Sequence, residues 1–317
     1  MLQERLETIC ARLCLLSALE RSPEDPAPLS RRMVRGLIDR KLLDGLVLRE
    51  SCEVSSVRLE QARRLLARAS SVCESLLRYH EAGYRILLPQ DEDWPSKLFC
   101  LGDAMPLYLF ARGNINLLTQ RMIAVAGSRD ILPSTRYAAE RVGCAAAGEG
   151  WTLVCGGARG VDAAALHHAL LHEGNAIVIP AVPAYEIMKD PICRSAMDAG
   201  KLLILCETPP DEGFSTPKAL ARNHTIYALG NFALVVASRK RKGGSYAGAR
   251  DCLKGCWTPV FVIKESGTDY EGNATLEEMG AKGIALSEIE GGSLFEDFCN
   301  GPCCGALAVQ SQISLFE

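Results

Sequence analysis

The sequence predicts an α/β fold, in which a doubly wound, mostly parallel sheet follows a small all-helical N-terminal domain. From about residue 84 onward, short and uniformly apolar runs alternate with segments of helical periodicity. This alternation is typical of parallel sheets that helices cover on both faces. Before residue 84, apolar residues recur at a spacing near 3.6, which indicates helices.

Residues 1–83 are predicted to form a helical accessory domain. The segments LETICARLCLLSALE and SSVRLEQARRLLARASSVCESLLRYHEAG both carry apolar residues at helical spacing. Between them, the proline-rich stretch RSPEDPAPLS interrupts the pattern, and a short helix–helix pattern follows over residues 29–49.

Residues 84–290 are predicted to form the sheet domain, an extended Rossmann-like core, and residues 291–317 a C-terminal tail. Helices are expected near residues 134–148, from the glycine-rich turn at 156–160 to 173, and near 190–199, 217–229, 245–254 and 273–281. The expected strands are, in chain order, YRILLP, PLYLFARG, MIAVAG, WTLVC, AIVIP, KLLILC, FALVVAS and PVFVI.

Composition narrows the class of protein. Of the 317 residues, 48% are hydrophobic, yet no apolar run reaches membrane-spanning length. The N-terminus MLQERLETIC carries charges where a secretory signal would be apolar. We therefore expect a cytoplasmic protein with no membrane contact. Most of the 14 cysteines lie in apolar segments, which favours buried, reduced thiols.

Charge is unevenly distributed along the chain, although the net charge is only −3. Residues 211–264 contain nine Lys and Arg against three Asp and Glu, whereas residues 265–317 contain one Lys against ten acidic residues. The basic segment suits a polyanionic ligand.

Glycine-rich segments follow three predicted strands: the GSR loop (Gly127–Arg129), the GGARG turn (Gly156–Gly160) and the basic loop (Ser238–Ser245). A further polar cluster, ARNH (Ala221–His224), lies on the preceding helix. Because the carboxyl ends of parallel strands meet at one edge of a sheet, these segments can surround one ligand. Glycines let backbone N–H groups approach an anion, and helix N-termini add a favourable dipole.

A dinucleotide or nucleoside triphosphate ligand finds little support in these loops. No GxGxxG follows the first core strand, no acidic residue ends a second strand about 20 residues later, and a Walker A lysine is absent. Asp162, just after the GGARG turn, is better explained as a brace for that turn.

The ordered series of motifs resembles the DNA-processing protein A (DprA/Smf) family over about residues 84–285. The segments that carry the resemblance are LLPQDEDWPSKL, PLYLFARGN, GSR, CGGARGVDAAA, RN, GGS and GNATLEEMGAKGI. The resemblance implies a non-catalytic, homodimeric protein that needs no cofactor and binds single-stranded DNA without strong sequence preference. It also implies that the protein presents this strand to a RecA-type recombinase, in DNA uptake and transformation or in repair.

The resemblance also implies site residues. The GSR loop would hold a backbone phosphate, the GGARG turn would form the adjoining wall, ARNH would lie across the pocket, and the basic loop would close it. Aromatic residues are scarce near these loops, so we expect phosphate contacts to outweigh base stacking. The candidate residues are Gly127, Ser128, Arg129, Gly156, Gly157, Arg159, Gly160, Arg222, Asn223, Lys240, Lys242, Gly244 and Ser245.

The chain departs from the family pattern in its GSR loop, which is longer, and in its SGS turn, where Gly243 replaces the first Ser. It also departs at four further positions. Cys155 stands where the family has Ser, Leu166 where it has His, His224 where it has a second Arg, and Gly248 where it has Thr. These departures leave a changed ligand open.

Two alternative functions use the same loops. A non-catalytic Rossmann protein that senses a free nucleotide would need nearly the same pocket chemistry. The chain also resembles nucleotide phosphoribohydrolases, whose PGGxGTxxE turn supplies a catalytic Glu. Here KGGSYAGAR places Arg250 at that position, and a guanidinium cannot exchange a proton as a carboxylate does.

No metal site is predicted. His168 and His172 share a helix face, but no cysteine or carboxylate occupies a matching position in the sequence. The clusters CLKGC (Cys252, Cys256) and CNGPCC (Cys299–Cys304) lack a second pair of ligands at zinc-finger spacing.

The segment QISLF, residues 312–316, resembles the short peptide by which bacterial DNA enzymes bind the replicase sliding clamp. Its expected contacts are the Gln312 amide and the apolar pair Leu315 and Phe316. The clamp is therefore a candidate partner.

Overall fold

The computed structural model describes residues 2–49 and 54–290, which divide into two compact units. The first unit comprises Met1–Trp94, Gly102–Arg112 and Cys206–Glu212, and the second comprises the remainder of the chain. The predicted domain boundaries at residues 83 and 290 stay predictions. Among the described residues, no helix combines the length and apolar character that crossing a bilayer requires.

The first unit is mainly helical. An antiparallel pair, β3 with β4, accompanies its four helices, and a second, two-residue pair is formed by β1 and β2. Its elements are α1 (Leu2–Leu16), α2 (Arg31–Asp39), β1 (Leu43–Asp44), β2 (Val47–Leu48), α3 (Ser56–Leu66), α4 (Ala69–Glu81), β3 (Arg85–Leu87) and β4 (Leu109–Gly113).

The helix–helix pattern predicted over residues 29–49 is half wrong. Its first part forms α2, but residues 43–48 form the β1–β2 hairpin instead of a second helix. The Asp44–Gly45 pair explains the difference, because Gly45 has a φ of 55° at the first position of a two-residue turn. Such turns favour glycine there and join antiparallel strands directly.

The long helical pattern of residues 55–83 is divided into α3 and α4 at Ala67–Arg68. The buried Arg68 guanidinium donates hydrogen bonds to the backbone carbonyls of Cys14, Leu19 and Leu65. One side chain at the break thereby satisfies carbonyl groups near the C-terminal end of α1, where a helix leaves its last carbonyls without partners of its own.

The second unit contains a seven-stranded parallel sheet built from its described residues. Short 3₁₀ helices, Ser96–Ala104 and Ile115–Thr119, precede it in the chain. Its elements are β5 (Met122–Gly127), α5 (Pro133–Gly148), β6 (Thr152–Cys155), α6 (Val161–Leu171), β7 (Ala176–Val178), α7 (Ala184–Ile187), α8 (Pro191–Asp198), β8 (Leu202–Cys206), α9 (Thr216–Leu229), β9 (Phe232–Ala237), α10 (Gly244–Gly255), β10 (Val260–Ile263), α11 (Glu271–Glu278), β11 (Lys282–Ile284) and α12 (Leu286–Glu290).

The strand order of this sheet is β11-β10-β9-β5-β6-β7-β8, and each neighbouring pair is parallel. The chain winds outward from β5 through β8 and then returns to β9 on the other side of β5. Right-handed crossovers place α5 and α6 on one face and α10 and α11 on the other. The prediction of a doubly wound, mostly parallel sheet is confirmed.

The predicted strands and helices of this unit match the structure closely, because the inner strands β5–β10 are buried along their whole length. The structure also contains α7, β11 and α12, which the sequence pattern does not predict. Cys155, Cys193, Cys206 and Cys252 are buried free thiols, as expected of cysteines in apolar segments.

Helices α5 and α6 pack closely because Gly143 has no side chain. A Cβ atom at Gly143 would lie 2.2 Å from the Ala165 carbonyl oxygen of α6. The backbones of the two helices therefore approach more closely at this point than any larger residue would permit.

We expect Gly143→Ala to lower the free energy of unfolding by about 1–3 kcal/mol, since the added methyl group must push α5 away from α6. Gly148→Ala is the matched control on the same helix, because its Cβ would meet nothing within 4 Å. That substitution should be neutral or stabilise the protein by up to about 1 kcal/mol. Urea denaturation of both variants tests this, and equal stabilities would contradict the packing argument.

Candidate functional site

A groove of about 370 Å³ lies at the carboxyl ends of β5 and β9, where the strand order reverses. Open parallel sheets bind ligands in the crevice at this switch point. Its lining residues are Gly127, Ser128, Arg129, Asp130, Ala158, Asp162, Phe214, Thr216, Ala219, Leu220, Arg222, Asn223, Ser238, Arg239, Lys242, Gly243, Gly244, Ser245 and Tyr246.

The GSR loop is fixed in place by hydrogen bonds from both of its neighbours. The Ser128 carbonyl accepts from the Val161 N–H at the start of α6, at 3.1 Å. The Gly127 carbonyl accepts from the Ser245 hydroxyl at the start of α10, at 2.7 Å. The N-terminal ends of these two helices therefore lie beside the GSR loop, where their dipoles favour an anion.

Glycines permit this close approach. A Cβ atom at Gly127 would lie 2.4 Å from Val161 Cγ2, and one at Gly160 would lie 2.3 Å from the Ser128 carbonyl oxygen. Gly160 also has a φ of 88°, in the region that favours glycine. The GGARG turn thus packs directly against the backbone of the GSR loop.

Asp162 and Arg222 form the buried floor of the groove. Asp162 Oδ2 accepts a 3.1 Å hydrogen bond from the Gly156 N–H, so this carboxylate does brace the turn. A Cβ at Gly156 would lie 1.8 Å from Arg222 Nη1, so the glycine leaves room for the guanidinium. Burial raises the pKa of Asp162 to about 6, although the charge of Arg222 and the hydrogen bond from Gly156 oppose this rise.

Positive charge predominates in the groove, since four cationic side chains line it against two carboxylates. Arg129 is exposed, and its guanidinium lies 5.5 Å from the centre of the Phe214 ring. Lys242 is exposed at the edge of the basic loop. Asp130 forms a 2.8 Å ion pair with Arg159, so one of the acidic groups already has a cationic partner.

The structure brings eight of the thirteen predicted residues into the groove lining: Gly127, Ser128, Arg129, Arg222, Asn223, Lys242, Gly244 and Ser245. Gly156 and Gly160 support the lining from behind, through the close contacts with Arg222 and the GSR loop. Gly157, Arg159 and Lys240 are outside the lining. The ligand contacts of all thirteen stay a prediction.

Four of the departures from the family pattern lie outside the groove lining, whereas Gly243 belongs to it. Cys155 and Leu166 are buried, and burial raises the pKa of the Cys155 thiol. His224 Nε2 lies 3.2 Å from Asp251 Oδ2, and its ring contacts Trp257. Gly248 faces the Tyr227 ring, which a Cβ there would approach to 2.7 Å. None of these four residues is among those that line the groove.

The sequence does not predict Phe214, which places an aromatic ring in a groove where few aromatic side chains are expected. Phe214 is half exposed and lines the groove, although it belongs to the irregular segment before α9. No periodic pattern marks this segment in the sequence, so only the fold identifies the contact. Asp162, Arg239 and Thr216 were likewise not among the candidates.

The predicted clamp-binding residues Gln312, Leu315 and Phe316 lie outside the described residues, as do Cys299, Cys303 and Cys304.

A doubly wound parallel domain with a cationic, glycine-lined groove at its switch point defines a Rossmann-like protein whose groove has the charge and shape that suit an anion. Residues 85–290, well over half of the chain, match the family model of DNA recombination-mediator protein A. The chain belongs to this family, which confirms the resemblance inferred from the motifs.

Individual relatives agree with this assignment. The putative DNA processing protein DprA of Mycobacterium tuberculosis is 28% identical over 204 residues, which are 59% of this chain and 51% of the relative. The chain thus spans about half the length of the curated relatives it matches.

Two solved structures share the fold. DNA processing protein A from Streptococcus pneumoniae has a TM-score of 0.67 and 20% identity, and the match covers 90% of this chain and 96% of that one. The Helicobacter pylori protein, described for its single-stranded DNA binding mode, has a TM-score of 0.56 and 27% identity, with coverage of 68% and 96%.

The raised pKa of Asp162 predicts a pH-dependent stability. The folded pKa of about 6 exceeds the ordinary value of 3.8, so the protonated group stabilises the fold below pH about 4, and this contribution is lost as the pH rises through about 6. Relative to Asp162→Asn, the wild-type free energy of unfolding should fall by about 2 kcal/mol from about pH 4.5 to pH 7. Urea denaturation at both pH values measures this, and parallel pH profiles would contradict it.

Proposed function

We propose that the groove binds single-stranded DNA through its backbone phosphates. The observation that carries the proposal is the convergence of the GSR loop, the basic loop and two helix N-termini on one cationic groove. Backbone N–H groups and guanidinium groups of this kind donate hydrogen bonds to phosphate oxygens. Membership of the recombination-mediator family and the DNA binding described for the Helicobacter pylori relative support it.

A polymer suits this site better than a single nucleotide. The basic run Arg239–Lys242 is exposed and extends from the groove lining onto the surface. A free nucleotide would occupy the groove and leave Lys240 and Arg241 without a phosphate, whereas a strand can reach both. Exposed positive charges of this kind increase the affinity for a nucleic-acid backbone but do not distinguish one base sequence from another.

The proposed activity is binding without catalysis. Asp162 accepts from the Gly156 N–H beneath the groove, and Asp130 is paired with Arg159, so both carboxylates have structural partners. Arg250, where a phosphoribohydrolase-like enzyme would need its Glu, pairs with Asp251 at 2.7 Å. We further propose that the protein acts as a homodimer and presents the bound strand to a RecA-type recombinase.

We expect Arg129→Ala and Lys242→Ala each to weaken oligo-dT binding about tenfold at low salt, the effect of removing one charge-assisted hydrogen bond worth about 1.5 kcal/mol. The slope of log K against log salt should decrease by about 0.7 for each phosphate that a variant no longer binds. Fluorescence anisotropy at two salt concentrations measures both quantities. Lys254→Ala, an exposed lysine in the last turn of α10, is the matched control and should bind as the wild type does.

The result that contradicts this assignment is unchanged affinity in both variants at low salt. Competition by free mononucleotides separates the nucleotide-sensor alternative from DNA binding. If DNA is the ligand, mononucleotides displace the oligonucleotide only weakly. Tight binding of one mononucleotide without DNA binding would favour the sensor.

Phe214 should provide a stacking surface for a base, since aromatic rings bind unpaired bases with little sequence preference. We expect Phe214→Ala to weaken binding of oligo-dT and oligo-dC alike, by at least about fivefold, for a stacking energy of about 1–3 kcal/mol. Phe99→Ala is the matched control, because both rings are 50% exposed but Phe99 is outside the groove. Equal effects of the two substitutions would exclude a stacking role.

A further inference from the structure

Three metal-ligating side chains meet on the surface between α5 and α6, outside the groove. Cys144 belongs to α5, His168 to the last turn of α6, and His172 follows as the C-terminal cap of α6. Their ligand atoms all lie within 4.8 Å of one another. Cys144 Sγ is 3.7 Å from His168 Nδ1 and 3.7 Å from His172 Nε2.

These separations fit a tetrahedral metal centre. Bonds of about 2.3 Å to sulfur and about 2.0–2.1 Å to nitrogen, at a tetrahedral angle, place the two ligand atoms about 3.6 Å apart. The two sulfur-to-nitrogen distances therefore already match those around a bound ion.

The second ring nitrogen of each histidine faces an oxygen atom. His172 Nδ1 lies 2.8 Å from the His168 carbonyl oxygen and 3.6 Å from Cys144 Sγ, and Nε2 lies 3.7 Å from the same sulfur, so Nε2 is the nitrogen available to an ion. His168 Nε2 lies 3.8 Å from Glu140 Oε1, while Nδ1 is directed toward Cys144. Metal-bound histidines commonly have this arrangement, in which a carbonyl or carboxylate orients the ring and fixes its tautomer.

We propose that Cys144, His168 and His172 bind a zinc ion, with the fourth coordination position open to water. One thiolate and two imidazoles form a ligand set that suits Zn²⁺, whereas Mg²⁺ and Ca²⁺ require oxygen ligands. Cys144 and His168 are half-buried and His172 is exposed, so the ion can enter from solvent. On binding, the Cys144 thiol releases its proton to water, and both imidazoles bind as neutral rings.

The bound ion would connect α5 to α6 through side chains of both helices. Because it binds the folded protein and not the unfolded chain, it should raise the stability of the second unit. This inference is independent of the proposed DNA binding, since none of the three ligands lines the groove.

The test is titration of the full-length, metal-free protein with Co²⁺ and Zn²⁺. Co²⁺ should give a sulfur-to-metal charge-transfer band and the intense visible bands of tetrahedral coordination, and Zn²⁺ should displace it. Cys144→Ala should abolish the charge-transfer band. His172→Ala should weaken Zn²⁺ binding by more than about 100-fold, beyond the effect expected for an outer-sphere partner alone. Cys256→Ala, another non-buried thiol, is the matched control and should bind as the wild type does.

Thermal unfolding provides a second readout. Zn²⁺ should raise the melting temperature of the wild type and of Cys256→Ala but leave that of Cys144→Ala unchanged. His172 is exposed, so its substitution tests the site without disturbing the core. Equal stoichiometry and equal thermal shifts in the wild type, Cys144→Ala and His172→Ala would overturn the proposal and assign the ion to other cysteines. Absence of Co²⁺ and Zn²⁺ binding to the wild type would also overturn it.

Discussion

The parallel pairing of β5 with β9 is the constraint on which the candidate site depends. Residues from opposite halves of the second unit become neighbours only because the chain returns to β5 after building β6 through β8. The GSR loop and the basic loop consequently leave the sheet side by side, and the Ser245 hydroxyl reaches the Gly127 carbonyl. The groove is the space that this reversal leaves between helices that depart on opposite faces.

A buried carboxylate beneath an anion-binding groove requires a physical reason. An unpaired Arg222 guanidinium would be costly to bury, and Asp162 supplies the opposing charge while it also holds the Gly156 N–H. Burial raises the pKa of Asp162 to about 6, so the carboxyl is still mostly ionised at neutral pH and opposes the charge of Arg222. The pair thus fixes the Arg222 guanidinium in place, and Arg129, Arg239 and Lys242 keep the groove positively charged for an anion.

Much of the fold could be predicted from the sequence because its signals are local. The strands are short and apolar throughout, and each glycine-rich turn marks the point where a strand gives way to a helix. Position in the family motifs also identified most of the cationic lining. The β1–β2 hairpin is the exception, because the helical spacing of apolar residues continues past the Asp44–Gly45 pair that marks its turn.

Other features depend on contacts between segments that are distant in the chain, and the spacing of residues in the sequence does not predict such contacts. Phe214 lies in an irregular segment that reaches the groove only after α9 is placed. Cys144 is more than twenty residues from His168 in the chain and meets it because α5 and α6 cross closely. Gly143, the residue before Cys144, contacts Ala165 of α6 and so sets the short distance between the two helices. Helix α6 begins beside the GSR loop and has the two histidines at its C-terminal end, so one helix connects the groove to the proposed metal site.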